Sequence, residues 1–185
     1  MNLEPLLQNE VPYLIAQGSS LPERPIFLPG SFNPFHEGHE KLLRVACKKT
    51  QCVGTLELSI SNVDKPDLTS AELEIRLASI PSDLTVILTN APTFIQKARC
   101  FPNRPFVLGF DTAIRLLDPK YHADILGMLA EFRALKTRFL VAGRSINQTF
   151  YDPFKLNIPK GFEELFLQIP EAVFRVDLSS TELRG

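Results

Sequence analysis

From Ile26 onward the chain alternates short apolar runs with amphipathic stretches, and that alternation narrows the fold more than any other feature. Strand candidates fall at Ile26–Leu28, Thr55–Ile60, Leu84–Leu88, Phe106–Gly109, Arg138–Ala142 and Val173–Asp177. Each is short, apolar and bounded by turn residues. The stretches between them carry helix signals. Leu42, Leu43, Ala46 and Cys47 share one helical face, while Lys41, Arg44 and Lys48 share the other. Thr69 with Glu72, and Thr93 with Gln96, read as capping boxes. Asp111 is a candidate cap for a helix through Ile114 and Leu117, and Ile125, Met128, Leu129, Phe132 and Leu135 form a long apolar stripe. Such a pattern predicts a Rossmann-like α/β fold: a doubly wound parallel sheet of five to six strands with helices on both faces. Residues 1–24 read as a helical extension and linker, and residues 25–185 as the main domain.

In such sheets ligands bind beyond the carboxyl ends of the strands. The unusual residues of this chain follow those ends. The run Gly30-Ser31-Phe32-Asn33-Pro34-Phe35-His36-Glu37-Gly38-His39 follows the first strand and opens a helix. Ser61, Asn62, Asp64 and Lys65 follow the second, Gly109 and Asp111 the fourth, and Arg144 the fifth. Ser179-Ser180-Thr181-Glu182-Leu183-Arg184 follows the last. Polar groups from five loops would thus meet on one rim.

His36 and His39 stand at a helix start, where unpaired N–H groups and the positive dipole end favour anions. Gly38 between them leaves room for a ligand near backbone. Either protonation state of imidazole donates to phosphate oxygen. A metal pair and two ordinary polar loop residues are the alternatives; the HExxH spacing of a metalloprotease is absent. So are the GxxxxGK[ST] and GxGxxG phosphate loops. Asp111 could accept from ribose hydroxyls or simply cap its helix, and Lys65 and Arg76 could supply charge or be solvated surface. Ser179 with Glu182 forms a third capping box at the chain's end.

These motifs carry a resemblance. GSFNPFHEGH resembles the GxFxPxHxGH signature of the HxGH nucleotidyltransferases, LGFDTAIRLLD resembles their strand-turn-helix segment, and SSTELR is similar to their terminal ISSTxxR motif. Within that superfamily the chain looks most like the nicotinamide or nicotinate mononucleotide adenylyltransferases. The resemblance implies transfer of the adenylyl group of ATP to a phosphorylated acceptor, with release of pyrophosphate and with Mg²⁺ bridging the ATP phosphates. It implies that His36 and His39 bind phosphate and stabilise the transition state, with Arg184, Ser179, Ser180 and Thr181 on the terminal phosphates. Gly30, Ser31, Phe32, Asn33 and Gly38 would form the phosphate loop, and Gly109 and Asp111 would contact the adenosine. Lys65, Phe94 and Arg144 are acceptor-side candidates, Phe94 as the aromatic partner in a chain without tryptophan. Two other readings stand beside this one. The acceptor could be phosphopantetheine or a phosphorylated alcohol, or the fold could bind nucleotide without turnover.

A formal charge of −1 in 185 residues disfavours bulk binding to nucleic acid or anionic membrane. Three cysteines, Cys47, Cys52 and Cys100, with no CxxC pair, argue against a disulfide framework or zinc ribbon. With neither a secretory signal nor an arginine-rich transit segment read at the N-terminus, a reducing, cytoplasmic setting is expected. The sequence carries no signal for an oligomeric state.

Overall fold

A computed structural model of the protein describes residues 1–61, 68–146, 149–151 and 153–174. In chain order the elements are α1 (Glu4–Leu7), β1 (Leu14–Gln17), β2 (Pro25–Pro29), α2 (Glu37–Thr50), β3 (Val53–Ser59), α3 (Ser70–Ala78), β4 (Thr85–Thr89), α4 (Phe94–Cys100), β5 (Pro105–Gly109), α5 (Phe110–Leu117), α6 (Ile125–Ala134), β6 (Arg138–Ala142), β7 (Arg144–Ile146), β8 (Thr149–Tyr151) and β9 (Phe166–Ile169). A seven-stranded sheet has the order β1-β4-β3-β2-β5-β6-β9, and β7 and β8 form a separate ribbon. Every ladder in the large sheet is parallel except β1 with β4. Leaving β1 aside, the chain starts at the centre with β2, works outward to β4, returns to β5 and works outward the other way. That is the doubly wound Rossmann order, and its reversal lies between β2 and β5.

Strand periodicity explains the two covered faces. Ile26 and Leu28 of β2, Leu56 and Leu58 of β3, and Val86 and Leu88 of β4 pack with Leu42, Leu43 and Ala46 of α2 in one core. Phe27, Ile87, Phe106, Leu108, Phe139 and Val141 point the other way, against Ala98 of α4, Ala113 and Leu116 of α5 and Phe132 of α6. Phe139 is the hub of this second core, with Phe94, Phe106, Phe132 and Phe166 around it at centroid separations of 4.9–6.2 Å.

Two expectations need correction. Among the described residues the sheet has seven strands, not five to six. Residues 1–18 are helical only over Glu4–Leu7; Leu14–Gln17 joins the sheet as an antiparallel edge, its register set by β4 and not by local pattern. A strand that the pattern did not predict, Phe166–Ile169, pairs with β6 from Phe139↔Phe166 to Ala142↔Ile169; of the strand expected at Val173–Asp177, positions 175–177 lie outside the described residues. Val173, where that strand was expected to begin, lies in an exposed turn.

A carboxylate lies deep in the sheet. Glu57 of β3 is fully buried on the α4 side, and its Oε1 is 2.7 Å from Nζ of Lys97, itself only 5% exposed. The Thr89 hydroxyl donates to the same oxygen, while Oε2 has no partner among the described residues. A buried pair of this kind contributes little net stability, but removing one partner strands a charge. Lys97→Met is therefore expected to lose about 3–5 kcal/mol in urea unfolding at neutral pH, with Glu57→Leu/Lys97→Met recovering most of it. Equal losses in the single and double variants would count against charge as the cause.

Candidate active site

The reversal between β2 and β5 leaves a crevice at their carboxyl ends. The β2–β3 ladder runs from Pro25↔Val53 to Pro29↔Glu57, but β2 and β5 are bridged at Phe27 and Phe106. Beyond that bridge each strand reaches a glycine, Gly30 and Gly109, and each turns into a helix on the opposite face of the sheet. The N-termini of α2 and α5 therefore open beside the same crevice, and both favour an anion there.

The start of α2 is built by the two histidines. His36 is the N-cap, extended at φ −148° and ψ 167°, and its Nδ1 accepts the Gly38 N–H at 3.1 Å. His39, three residues on, accepts the His36 N–H on its own Nδ1 at 3.3 Å. This is the reciprocal geometry of a capping box with imidazoles in place of hydroxyl and carboxylate. It also assigns the tautomer: with Nδ1 accepting, the proton of each neutral ring sits on Nε2. The rings stack, with centroids 3.7 Å apart and planes 27° apart. His39 also stacks on Phe35 and meets the edge of Phe32. The amide of Gly38, expected to face a ligand, is thus already held by His36.

Burial pushes the pKa of His36 down; burial and the neighbouring His36 charge take His39 down to about 3. Both rings are neutral near pH 7, so the site offers N–H donors and helix dipoles rather than two cations.

The loop before them is rigid for identifiable reasons. Phe32 has a left-handed φ of 44°, a conformation that costs a non-glycine residue roughly 1–2 kcal/mol. Its ring offsets this by being almost wholly buried and by lying over Gly30, where a Cβ would come within 2.7 Å of it. The Asn33–Pro34 peptide is cis. The Gly30 N–H donates to the Glu57 carbonyl at 3.0 Å. Phe35 N–H donates to the Ser79 hydroxyl at 3.0 Å, and the Arg76 guanidinium donates to the Ser31 carbonyl at 3.1 Å.

Gly109 is the opposite case. It is exposed, is the N-cap of α5 without any side-chain cap, and a Cβ there would meet nothing within 4 Å. Neither its φ of −74° nor packing calls for glycine. What the missing side chain preserves is open space over a helix N-terminus. Asp111 lies within the first turn of α5, so the helix cap expected of it is supplied by Gly109 backbone instead.

The structure thus brings together Gly30, Ser31, Phe32, Asn33, His36, Gly38 and His39 with Gly109 and Asp111 at the two adjoining strand ends. Phe94 begins α4 and packs edge-on against Phe106 and Phe139 in the second core. Arg144 opens β7, away from the parallel ladders. Lys65, Ser179, Ser180, Thr181 and Arg184 lie outside the described residues. Ser79 is a contributor that sequence reasoning missed: it follows α3 with no motif around it, and only tertiary contact joins it to the loop.

The doubly wound sheet, with a paired-histidine helix start at its reversal, defines a nucleotidyltransferase of the HxGH type. Residues 27–185 match the cytidylyltransferase-like family model, and the chain belongs to that family. It is also 31% identical over 188 residues to a Schizosaccharomyces pombe protein named "Putative nicotinamide mononucleotide adenylyltransferase", covering 93% of this chain and 74% of that protein. Among the described residues no helix is long and apolar enough to cross a membrane.

The neutral histidines give a pH expectation. A histidine whose folded pKa lies below its unfolded value of 6.5 contributes stability that is complete above pH 6.5 and lost as pH falls toward the folded value. Between about pH 6.5 and 3, His39 alone should steepen the dependence by up to roughly 1.4 kcal/mol per pH unit. His39→Gln should flatten the curve in pH-dependent urea unfolding, whereas curves of equal slope would show that His39 protonates freely in the fold.

Proposed function

We propose that the protein transfers the adenylyl group of ATP to a phosphorylated acceptor, with nicotinamide or nicotinate mononucleotide as the first choice. The observation that carries the reading is the pair of reciprocally capped, neutral imidazoles at the N-terminus of α2. Each would present an Nε2–H to phosphate oxygen from a rigid mount. The acceptor phosphate oxygen attacks the α-phosphorus of ATP, the bond from that phosphorus to the bridging oxygen breaks, and pyrophosphate leaves. No proton need move and no covalent intermediate is required. The work is alignment, together with donors placed where negative charge builds on the phosphates.

The other parts take roles around that step. The open N-terminus of α5 over Gly109 would receive the adenosine side, with Asp111 near the ribose. The terminal Ser179, Ser180, Thr181 and Arg184 would close on the β- and γ-phosphates. The donors assembled in the crevice are N–H groups, complementary to phosphate and not to a cation. Mg²⁺ would therefore be carried on the phosphates and water, where it neutralises charge. The choice of pyridine mononucleotide draws on the name of the Schizosaccharomyces pombe relative. A cytoplasmic setting fits three free cysteines.

A pyrophosphate-release assay with ATP, Mg²⁺ and a panel of phosphorylated acceptors tests the reading; ATP binding with no release from any acceptor would identify a binding module instead. In the same assay, His39→Ala is expected to slow turnover by about two to three orders of magnitude. Gly109→Ala should leave the unfolding midpoint unchanged, because the added methyl meets no atom of the described residues. It should weaken ATP binding by about tenfold or more if the nucleotide occupies that space, and unchanged ATP affinity would remove Gly109 from the site.

A further inference from the structure

The histidines are held by their own helix, but the loop that delivers the chain to them is held from elsewhere. Between Gly30 and His36 the backbone belongs to no helix or strand, and Phe32 has a left-handed φ, so repeating hydrogen bonds do not fix it. Two side chains from the end of α3 take that role. Ser79, the C-cap of α3, uses one hydroxyl twice: it accepts the Phe35 N–H at 3.0 Å and donates to the Arg76 carbonyl at 2.7 Å. Arg76, one turn earlier, reaches back to the Ser31 carbonyl at 3.1 Å. The loop is thus gripped near both ends by residues 44 and 45 positions away in the chain.

The first grip falls one residue before His36. Holding the Phe35 N–H holds the Pro34–Phe35 peptide, one residue before the N-cap from which α2 begins. Phe35 transmits the same constraint through its ring, which stacks on His39 at 5.4 Å. The second grip orients the Ser31 peptide and brings a guanidinium to the lip of the crevice. Neither contact is needed to cap α3: the Ser79 N–H already reaches the Arg76 and Leu77 carbonyls.

We propose that Ser79 and Arg76 are positioning residues for the phosphate-handling histidines, so that the C-terminus of α3 sets where the two imidazole Nε2–H groups point. The inference rests on the adenylyl-transfer reading only for its kinetic consequence; the geometric part stands without it. A misplacement of about 1 Å in an aligned site costs about a hundredfold in rate. Ser79→Ala leaves the Phe35 N–H without its acceptor, and Arg76→Gln leaves the Ser31 carbonyl without its donor. Ser79→Thr retains a hydroxyl at the same place.

The test combines two readouts on the full chain. The first is the set of imidazole Cε1–H resonances of His36 and His39, recorded by NMR with and without ATP. The second is kcat and KM for ATP in the pyrophosphate-release assay. Ser79→Ala and Arg76→Gln are expected to shift both imidazole resonances, with unfolding midpoints close to wild type. They should lower kcat by about ten- to a hundredfold more than they raise KM, and Ser79→Thr should restore both readouts. Resonances that coincide with wild type in both variants overturn the proposal, whatever the activity. If wild type releases no pyrophosphate with any acceptor, the adenylyl-transfer reading fails, and the resonances alone still decide whether α3 positions the histidines.

Discussion

The site depends on a topological constraint. A parallel strand needs a crossover to its neighbour, and right-handed crossovers place successive helices on one face until the chain reverses direction across the sheet. Here the reversal falls between β2 and β5. The helices after these two strands lie on opposite faces, so neither fills the space between their carboxyl ends. Two helix N-termini are left facing one crevice. The anion preference of the crevice starts from that arrangement, because the helix dipoles come from the backbone before any side chain is chosen.

The side chains then specialise the crevice, and its two glycines show how differently one residue type can act. Gly30 is small because Phe32 lies on it, so its role is internal to the loop. Gly109 is small where nothing in the described protein lies on it, so its role points outward. The histidines likewise have inward and outward sides. Their Nδ1 atoms complete the helix, which leaves Nε2 to carry the proton. Stacking and burial keep both rings uncharged near neutrality, a state suited to donating hydrogen bonds and unsuited to long-range attraction of an anion. Attraction then falls to the helix dipoles, while the Arg76 guanidinium is bonded to the Ser31 carbonyl of the loop.

Most of the helices and the histidine loop were legible because their signals are local. The boxes Thr69 with Glu72 and Thr93 with Gln96 close over three residues, and both form as read. The loop GSFNPFHEGH is a strand, a turn and a helix start in one continuous run, so its residues stay together in any fold that keeps the strand and helix. What was not legible depends on partners far away in sequence. Leu14–Gln17 lies at the edge of the sheet only because β4 offers a free side, and Phe166–Ile169 is a strand because it pairs with β6. Glu57 lies within the strand candidate Thr55–Ile60, and its pairing with Lys97 forty residues on leaves no periodic trace.

Taken alone, the amino-acid sequence determined the alternation of elements, the doubly wound class and the chemistry of the loop after the first parallel strand. Each rests on periodicity, capping or a contiguous motif, which are properties of neighbours in the chain. The tertiary structure decided the seventh strand, the neutral and tautomerically fixed state of the histidines, the open space over Gly109 and the grip of Ser79 and Arg76. Those rest on burial and on contacts between residues dozens of positions apart, and these exist only once the sheet has brought the strands into register.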